Sequence, residues 1–456
     1  MNQILILLSG GILNNQKNDK NDKNDNKMVE HLIEIISEEE FLKLVHNAAA
    51  DILRLSLFLE DFRNTEKIFN KKLFYAILTV SRDLEDFLDA HGAKNNRTWY
   101  YFRELVASAR NFGFVAFLIE HIEKSYIGPE EQKVFQEYFE QTKPVKQYFN
   151  QVLVFIFKLI REEAQRLKIA FPPRGLTETY YYDIPANKLL PPNLNEKEVK
   201  NKRENIIKIS SKYLNIATQF QDLQCNQQHP PKALVKMIPK KINEERIRRF
   251  ELGMHNLESV YDTYVKDKAI ETKDSRVARL RTYISTILHL LEIARVLTHF
   301  FERHQMVNDI LEKSIPENNV LNCTINWALY HTDRIMQSGK TLAEELLKEY
   351  TTMDSIELPV PKNLGFHLRP STLVAKIVNH YGSDVYMLVG EDKFDAKSVL
   401  SLTWAGGKIA REKIEKVTFV GDKRVLKDLK ILASVNYGED HMGKDRPLPK
   451  ALSYLR

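Results

Sequence analysis

The apolar pattern of the 456-residue chain changes once, near Met353, and this change limits what the chain can fold into. Before Met353, apolar side chains recur three and four positions apart, as from Leu280 to Leu297, which predicts amphipathic helices. The low glycine content, 16 residues in all, is also typical of long helices. We therefore expect a large all-α N-terminal region.

The residues after Met353 follow a different pattern. Residues 355–360 alternate between apolar and polar side chains, and residues 384–390 and 414–421 are also typical of β-strands. Short helical patterns accompany these segments at 368–380, 398–405 and 422–436. The mixture predicts a smaller C-terminal domain of the α+β class, so the protein is expected to be multidomain.

Proline and capping residues set the expected helix boundaries in the N-terminal region. Ser37 and Thr341 are each followed three positions later by glutamate, a capping box that predicts a helix start. Pro144 is expected to separate two helices, because proline resists helix interiors. The further helices expected from these signals and from the apolar spacing cover 66–90, 98–124, 130–141, 144–168, 196–222, 243–265 and 274–314.

The chain is expected to divide into six segments. Residues 170–195 contain five prolines, so they form a linker or a long ordered loop between two helical domains. The N-terminus, an apolar segment followed by a hydrophilic tract, is expected to be a disordered leader, or to precede the real start at Met28. The segments are 1–27 (leader), 28–169 (helical domain), 170–195 (linker or loop), 196–352 (helical domain), 353–438 (α+β domain) and 439–456 (irregular tail).

Composition and charge exclude several classes of protein. The net charge of +6, from 67 basic and 61 acidic residues, is too dilute to indicate a nucleic-acid partner. The two cysteines, Cys225 and Cys323, cannot form a disulfide framework or supply four thiolates to zinc. No apolar run approaches the ~20 residues of a membrane span. We therefore expect a cytoplasmic protein with no membrane span, bound metal or cofactor.

The segment best suited to chemistry lies between the first expected strand and the helix after it, and reads Asn363-Leu364-Gly365-Phe366-His367-Leu368-Arg369-Pro370-Ser371. A histidine before a helix lies beside amides that have no partner within the helix, at the positive end of the helix dipole. This arrangement suits an anion, and Arg369 adds a planar set of donors for phosphate oxygens. The positive field disfavours imidazolium, so His367 is expected to be neutral and nucleophilic near pH 7.

This segment resembles the phosphorylation site of HPr, the histidine phosphocarrier of the bacterial phosphoenolpyruvate phosphotransferase system. That site reads Gly, aliphatic, His, small, Arg, Pro, small. A second segment, residues 395–400, resembles the family's regulatory serine motif, and Ser398 lies 31 positions after His367, the usual separation in the family. The resemblance runs from Gly365 to Ser398, extends loosely to Val435 and covers under a fifth of the chain. It implies an open-faced β-sandwich for the C-terminal domain.

The resemblance also implies roles for individual residues. The protein would be a phosphocarrier rather than a stand-alone enzyme, with His367 and Arg369 as catalytic residues and with phosphate bound at Leu368 and Arg369. An enzyme I-type protein would donate the phosphoryl group to His367. Partners would dock at Pro370, Val399, Leu400 and Thr403.

Ser398 has two interpretations that can both hold. Serine is a favoured helix N-cap, which by itself explains its position. The resemblance implies a second role, regulatory phosphorylation by an HPr kinase, which would add a charge of about −1.5 to −2 beside the docking surface.

Two hypotheses follow for the whole chain. In the first, the protein is a phosphoryl carrier or regulator whose helical region binds an unknown protein partner. In the alternative, the protein is a non-catalytic helical scaffold, or adaptor, that uses a degenerate HPr-like domain for docking. The alternative is motivated by departures from the family pattern. Leu368 stands where the family has a small residue and takes up room beside the phosphate or the docking partner, and Thr403 and Trp404 alter a docking helix.

Overall fold

The computed structural model describes residues 35–124, 129–182, 202–266, 268–304, 315–362, 364–439 and 447–455. The expected leader, residues 1–27, lies outside these described residues, as do residues 183–195 of the expected linker or loop.

Helices account for most of the described chain up to Tyr350. They are α1 (Glu38–Ala48), α2 (Ala50–Phe62), α3 (Lys71–Ala90), α4 (Tyr100–Lys124), α5 (Pro129–Arg166), α6 (Lys202–Phe220), α7 (Pro231–Met237), α8 (Glu244–Tyr264), α9 (Lys268–Lys273), α10 (Ser275–Arg303), α11 (Glu317–Leu321) and α12 (Tyr330–Tyr350). A π-helix, Asn322–Leu329, joins α11 to α12. The predicted cap at Ser37 is confirmed, since its hydroxyl accepts a hydrogen bond from the Glu40 amide at 3.2 Å.

Two predicted helix boundaries are wrong. Pro144 lies inside α5, and Thr341 lies inside α12 rather than at a helix start. Val145 and Phe149, which follow the proline, are buried, so core packing offsets the hydrogen bond that proline removes. Before Thr341, Gly339 packs so closely on Tyr213 that an added Cβ would lie 2.1 Å from the phenol oxygen, and this contact holds the helix through the expected break.

The two expected helical domains share one core. A single cluster of buried apolar side chains extends from Phe41 to Leu346. The Phe112 and Phe300 rings, one from each expected domain, pack edge to face with centroids 4.7 Å apart. We call the described helices of 28–169 and 196–352, which share this core, the helical unit.

The described part of the expected linker or loop, residues 170–182, is an ordered loop on the helical unit. The Arg174 guanidinium forms ion pairs with the carboxylates of Glu60 and Asp61 in α2. The Tyr181 ring is buried against Phe58, with centroids 4.9 Å apart. These contacts favour the ordered-loop alternative for this part of the segment.

The C-terminal part contains a four-stranded antiparallel sheet and three helices, which confirms the α+β prediction. The strands are β1 (Met353–Pro359), β2 (Val385–Val389), β3 (Asp392–Asp395) and β4 (Lys416–Asp422), in the order β1-β4-β2-β3. The helices are α13 (Leu368–Tyr381), α14 (Val399–Glu412) and α15 (Lys423–Ser434). Strand β3 was not predicted, since its sequence Asp-Lys-Phe-Asp has one apolar residue and is held by pairing with β2.

The side chains of this part form a second core, separate from the first. Val385, Met387 and Val389 alternate with partly exposed residues, so one face of β2 is buried. Leu452 and Leu455 also belong to this core. The expected irregular tail therefore packs on the domain through residues 447–455, because it carries apolar side chains that the domain buries.

The two parts meet at the C-terminal end of α13. Gly382, just after α13, lies against Ser211 of α6, where an added Cβ would be 3.6 Å from the Ser211 Cβ. Because α13 has 14 residues, its N-terminus lies about 21 Å from this contact. The segment around His367 is thus held at the end of the helix away from this contact.

Two helices, α4 and α10, are long and apolar enough to cross a membrane by length and composition. Their apolar windows are 78% and 67% buried within the protein. Core helices pass the same test, so these two helices give little support to a membrane span.

The stability of the helical unit is expected to depend on the protonation of His331. This side chain is 1% exposed, and burial lowers its pKa from 6.5 to about 4. The unfolded chain takes up the proton below pH 6.5, whereas the folded chain takes it up only near pH 4. Folding stability is therefore lost as the pH falls through this window, by up to about 2 kcal/mol between pH 7 and pH 5.

His331→Gln tests this dependence, because glutamine keeps a donor for Gln141, whose Oε1 lies 3.1 Å from the His331 Nε2. Urea unfolding at pH 7 and pH 5 should show a smaller loss of stability in this variant. The matched control is His255→Gln at an exposed position. The same loss in all three proteins would contradict the assignment.

Candidate functional site

His367 is the N-cap of α13, as the sequence predicts. Its backbone is extended, and its carbonyl oxygen accepts a hydrogen bond from the Ser371 amide at 3.2 Å. The imidazole makes no capping hydrogen bond, and 32% of the side chain is exposed. The ring therefore lies at the positive end of a 14-residue helix and is accessible from outside.

Phe366 anchors this histidine to the core. Its side chain is 1% exposed, and its ring packs edge to face on Tyr437, with centroids 5.1 Å apart. Helix α14 crosses directly over it, since a Cβ added to Gly406 would lie 2.3 Å from the Phe366 carbonyl oxygen. The burial of Phe366 thus fixes the backbone just before His367, and Gly406, which has no Cβ, makes room for that packing.

Leu368 does not fill the space beside the imidazole. Its side chain is exposed to 68% and projects into solvent. The amides of Leu368 and Arg369 are the first two of α13, and the helix itself provides no acceptor for either. The structure thus keeps the predicted phosphate-binding groups at the helix start, next to His367.

Glu439 completes the site, and sequence reasoning missed it. Its carboxylate is 1% exposed, with Oε1 at 2.8 Å from His367 Nε2 and at 3.8 Å from Arg369 Nη1. Gly438 directs the chain to this point with a φ of +81°, and an added Cβ there would lie 2.9 Å from Leu373 Cδ1. No local pattern marks a residue that lies 72 positions after its histidine.

The contact with Glu439 distinguishes the two ring nitrogens of His367. A carboxylate can only accept, so it favours a proton on Nε2. Nε2 is also buried, although the angle of its contact with Glu439 is not that of a hydrogen bond. Nδ1 is left with the lone pair, and the side chain that carries it is 32% exposed.

Ser398 is the N-cap of α14, as expected from its residue type. Its hydroxyl accepts a hydrogen bond from the Ser401 amide at 3.2 Å. The Asn379 side chain, near the end of α13, donates to the Lys397 carbonyl at 3.2 Å. Since Asn379 lies twelve residues after His367, Ser398 is about 18 Å from His367 along the helix. The structure does not bring the two predicted modification sites together.

The predicted docking residues differ in exposure. Leu400 is 61% exposed and continues with Trp404, which is 68% exposed, along the outer face of α14. Val399 and Thr403 are partly exposed, and the Thr403 hydroxyl donates to the Val399 carbonyl. Pro370 is buried in the first turn of α13, so its assignment to the docking surface is wrong.

Comparison of the chain with known proteins identifies no matching family model, no matching curated protein and no matching solved structure. The function is therefore argued from the motifs and from the geometry of this site.

Glu439→Gln is expected to change the tautomer of His367. Glutamine has a similar size but removes the negative charge that favours a proton on Nε2. Long-range ¹H–¹⁵N spectra at pH 8.5 should show the Nε2–H form in the natural protein and a mixture in the variant. Glu357→Gln, at an exposed position in β1, is the control. An unchanged tautomer in Glu439→Gln would show that the carboxylate does not orient the ring.

Proposed function

We propose that the C-terminal domain is an HPr-like phosphocarrier that accepts a phosphoryl group on Nδ1 of His367 from an enzyme I-type donor. The observation that carries this proposal is the arrangement of the imidazole. Nε2 is buried against Glu439, while the side chain as a whole is 32% exposed at the N-cap position of α13. No residue elsewhere in the described chain is proposed to take part in this transfer.

The chemistry requires only these groups and a donor. The Nδ1 lone pair forms the N–P bond while the bond between phosphorus and the donor breaks, and the proton on Nε2 stays in place. The transition state of such transfers is loose, so positioning and charge stabilisation do most of the work. The first amides of α13 and the Arg369 guanidinium are placed to receive the phosphoryl oxygens.

The topology supports the same proposal. An antiparallel sheet of order β1-β4-β2-β3, with alternate residues of β2 and β4 buried, fits an open-faced β-sandwich. Its other face carries partly exposed side chains such as Tyr386, with Lys393 stacked 3.6 Å from the centre of the ring.

The rest of the chain enters the proposal as a regulatory part. A phosphocarrier domain needs only about 85 residues, so the helical unit is assigned to binding a protein partner in the cytoplasm. Ser398, which is partly exposed, is assigned to phosphorylation by an HPr kinase. A phosphate at this N-cap is electrostatically compatible with the helix start, and it would add negative charge beside Leu400 and Trp404.

One observation favours the alternative, a non-catalytic scaffold. The buried carboxylate of Glu439 lies where it repels an incoming phosphoryl group, and like charges at such distances cost free energy. A domain retained only for docking would not need an accessible nucleophile, whereas its exposed Leu368 and Trp404 would still serve.

A phosphorylation assay distinguishes the carrier from the scaffold. The full chain should gain acid-labile phosphate when incubated with phosphoenolpyruvate and a bacterial enzyme I. His367→Ala should abolish this labelling, while His255→Ala, an exposed histidine of the helical unit, should retain it. A natural protein that stays unlabelled although its circular dichroism shows an intact fold would overturn the carrier function and leave the scaffold.

Ser398→Asn separates regulation from capping. Asparagine is as good an N-cap as serine, so the stability of the domain should change by less than about 0.5 kcal/mol. With an HPr kinase and ATP, the natural protein should gain acid-stable phosphate and Ser398→Asn should not. Ser401→Ala, three positions further along the chain, is the control for labelling at another serine. Equal labelling of all three proteins would show that Ser398 is not the modified residue.

A further inference from the structure

A polar cleft lies in the helical unit, far along the chain from His367. It has a volume of about 380 Å³ and opens between the middle of α5 and the π-helix Asn322–Leu329. This volume is at the lower end of the range for small-molecule sites.

Both walls of the cleft depart from α-helical geometry. On one side, Pro144 interrupts the hydrogen bonds of α5, since proline has no amide to donate. On the other side, Asn322, Cys323, Asn326 and Trp327 belong to the π-helix, a rare conformation that is frequent at functional sites. Each departure costs folding free energy, so their meeting at one cleft calls for an explanation other than stability.

The described side chains that line the cleft are uncharged and rich in carboxamides. Among the described residues that line the cleft, none carries a charged side chain. Half of them are carboxamides, namely Gln141, Gln228, Asn319, Asn322 and Asn326. Each carboxamide offers an acceptor and an NH₂ donor in one plane. A lining of this kind matches an uncharged ligand that both donates and accepts hydrogen bonds.

Three of the five carboxamides, those of Asn326, Asn322 and Gln141, are held in fixed orientations. The Asn326 Nδ2 donates to Asn322 Oδ1 at 2.9 Å and to the His229 carbonyl at 2.8 Å. Gln141 Oε1 is 3.1 Å from Nε2 of His331, which burial keeps neutral by lowering its pKa to about 4. The polar groups are therefore oriented before any ligand arrives, which reduces the entropy lost on binding.

Tyr148 supplies a buried hydroxyl for which the described residues offer only the neighbouring Asn319 side chain. The hydroxyl is buried and faces Asn319 without a hydrogen bond of good geometry in the described chain. An unsatisfied buried hydroxyl destabilises a protein, so a partner for it is expected from outside. Next to it, Trp327 uses its Nε1 to bind the Thr142 hydroxyl at 3.1 Å, which fixes the indole ring in the wall.

We propose that this cleft binds a neutral polyhydroxylated small molecule of about monosaccharide size. Vicinal hydroxyls pair with the planar acceptor and donors of a carboxamide, and the aromatic wall packs against the C–H faces of such a ligand. A charged analogue should bind more weakly, because the described residues of the lining offer no ion to pair with a buried charge.

The test uses the full chain and a panel of probes. D-Glucose, D-mannose, N-acetyl-D-glucosamine and myo-inositol are the neutral members, and D-glucose 6-phosphate and D-glucosamine are the charged ones. Tryptophan fluorescence is followed in a Trp404→Phe background, which removes the exposed tryptophan and leaves Trp327 in the cleft wall together with the buried Trp99. At least one neutral probe should saturate the signal below about 50 mM, and its charged analogue should bind at least ~10-fold more weakly. Failure of every neutral probe, or equal binding of the charged ones, would overturn the proposal.

Two variants separate binding from a structural role. Tyr148→Phe removes the unsatisfied hydroxyl, so it should weaken binding several-fold while leaving the melting temperature unchanged or higher. A lower melting temperature with unchanged binding would show that the hydroxyl serves the fold instead. Asn322→Asp places a charge in the cleft and should weaken binding at least ~10-fold. Asn318→Asp, an exposed neighbour outside the lining, is the matched control and should bind normally.

Discussion

The C-terminal site depends on the contact between the Glu439 carboxylate and the His367 imidazole. Glu439 is 1% exposed, so the domain encloses a negative charge in order to place it 2.8 Å from Nε2. The core holds the turn that precedes Glu439, because the Tyr437 hydroxyl donates to the Pro359 carbonyl at 2.9 Å and the Tyr437 ring packs on Phe366. Pro359, at the end of β1, and Tyr437, after α15, are thereby linked to the residue before His367. The orientation of the imidazole therefore follows from these buried contacts rather than from the loop alone.

The sequence alone predicts a helix start correctly where its physical cause lies within a few neighbouring residues. His367 is placed correctly because the helical pattern of residues 368–380 begins directly after it, and Ser37 because a capping box acts over four residues. Local reasoning failed where distant packing decides. Pro144 continues a helix since Val145 and Phe149, which follow it, are buried, and the position of Glu439 depends on a turn that only the folded domain specifies.

The helical unit shows the same limit on a larger scale. The proline-rich segment suggested a division, yet the Trp327 indole bonds to Thr142 across it, and a common core encloses both halves. Nothing in the spacing of apolar residues distinguishes a helix that covers its neighbour in sequence from one that covers a helix 185 positions away. Periodicity gives the face that is buried, whereas the partner of that face is set by the competition among all such faces for burial.

The charges around His367 decide whether Glu439 is compatible with the proposed phosphoryl transfer. Arg369 contributes one positive charge, and the start of α13 contributes roughly half of one. The positive field of these two groups opposes the negative charge of Glu439 where an incoming phosphoryl group would arrive. The carboxylate weakens that field, but it also favours the proton on Nε2 and leaves on Nδ1 the lone pair that the proposed transfer requires. A site without Glu439 would attract phosphate more strongly and would define the attacking nitrogen less well, which is why the carboxylate fits a carrier that must also release its phosphoryl group.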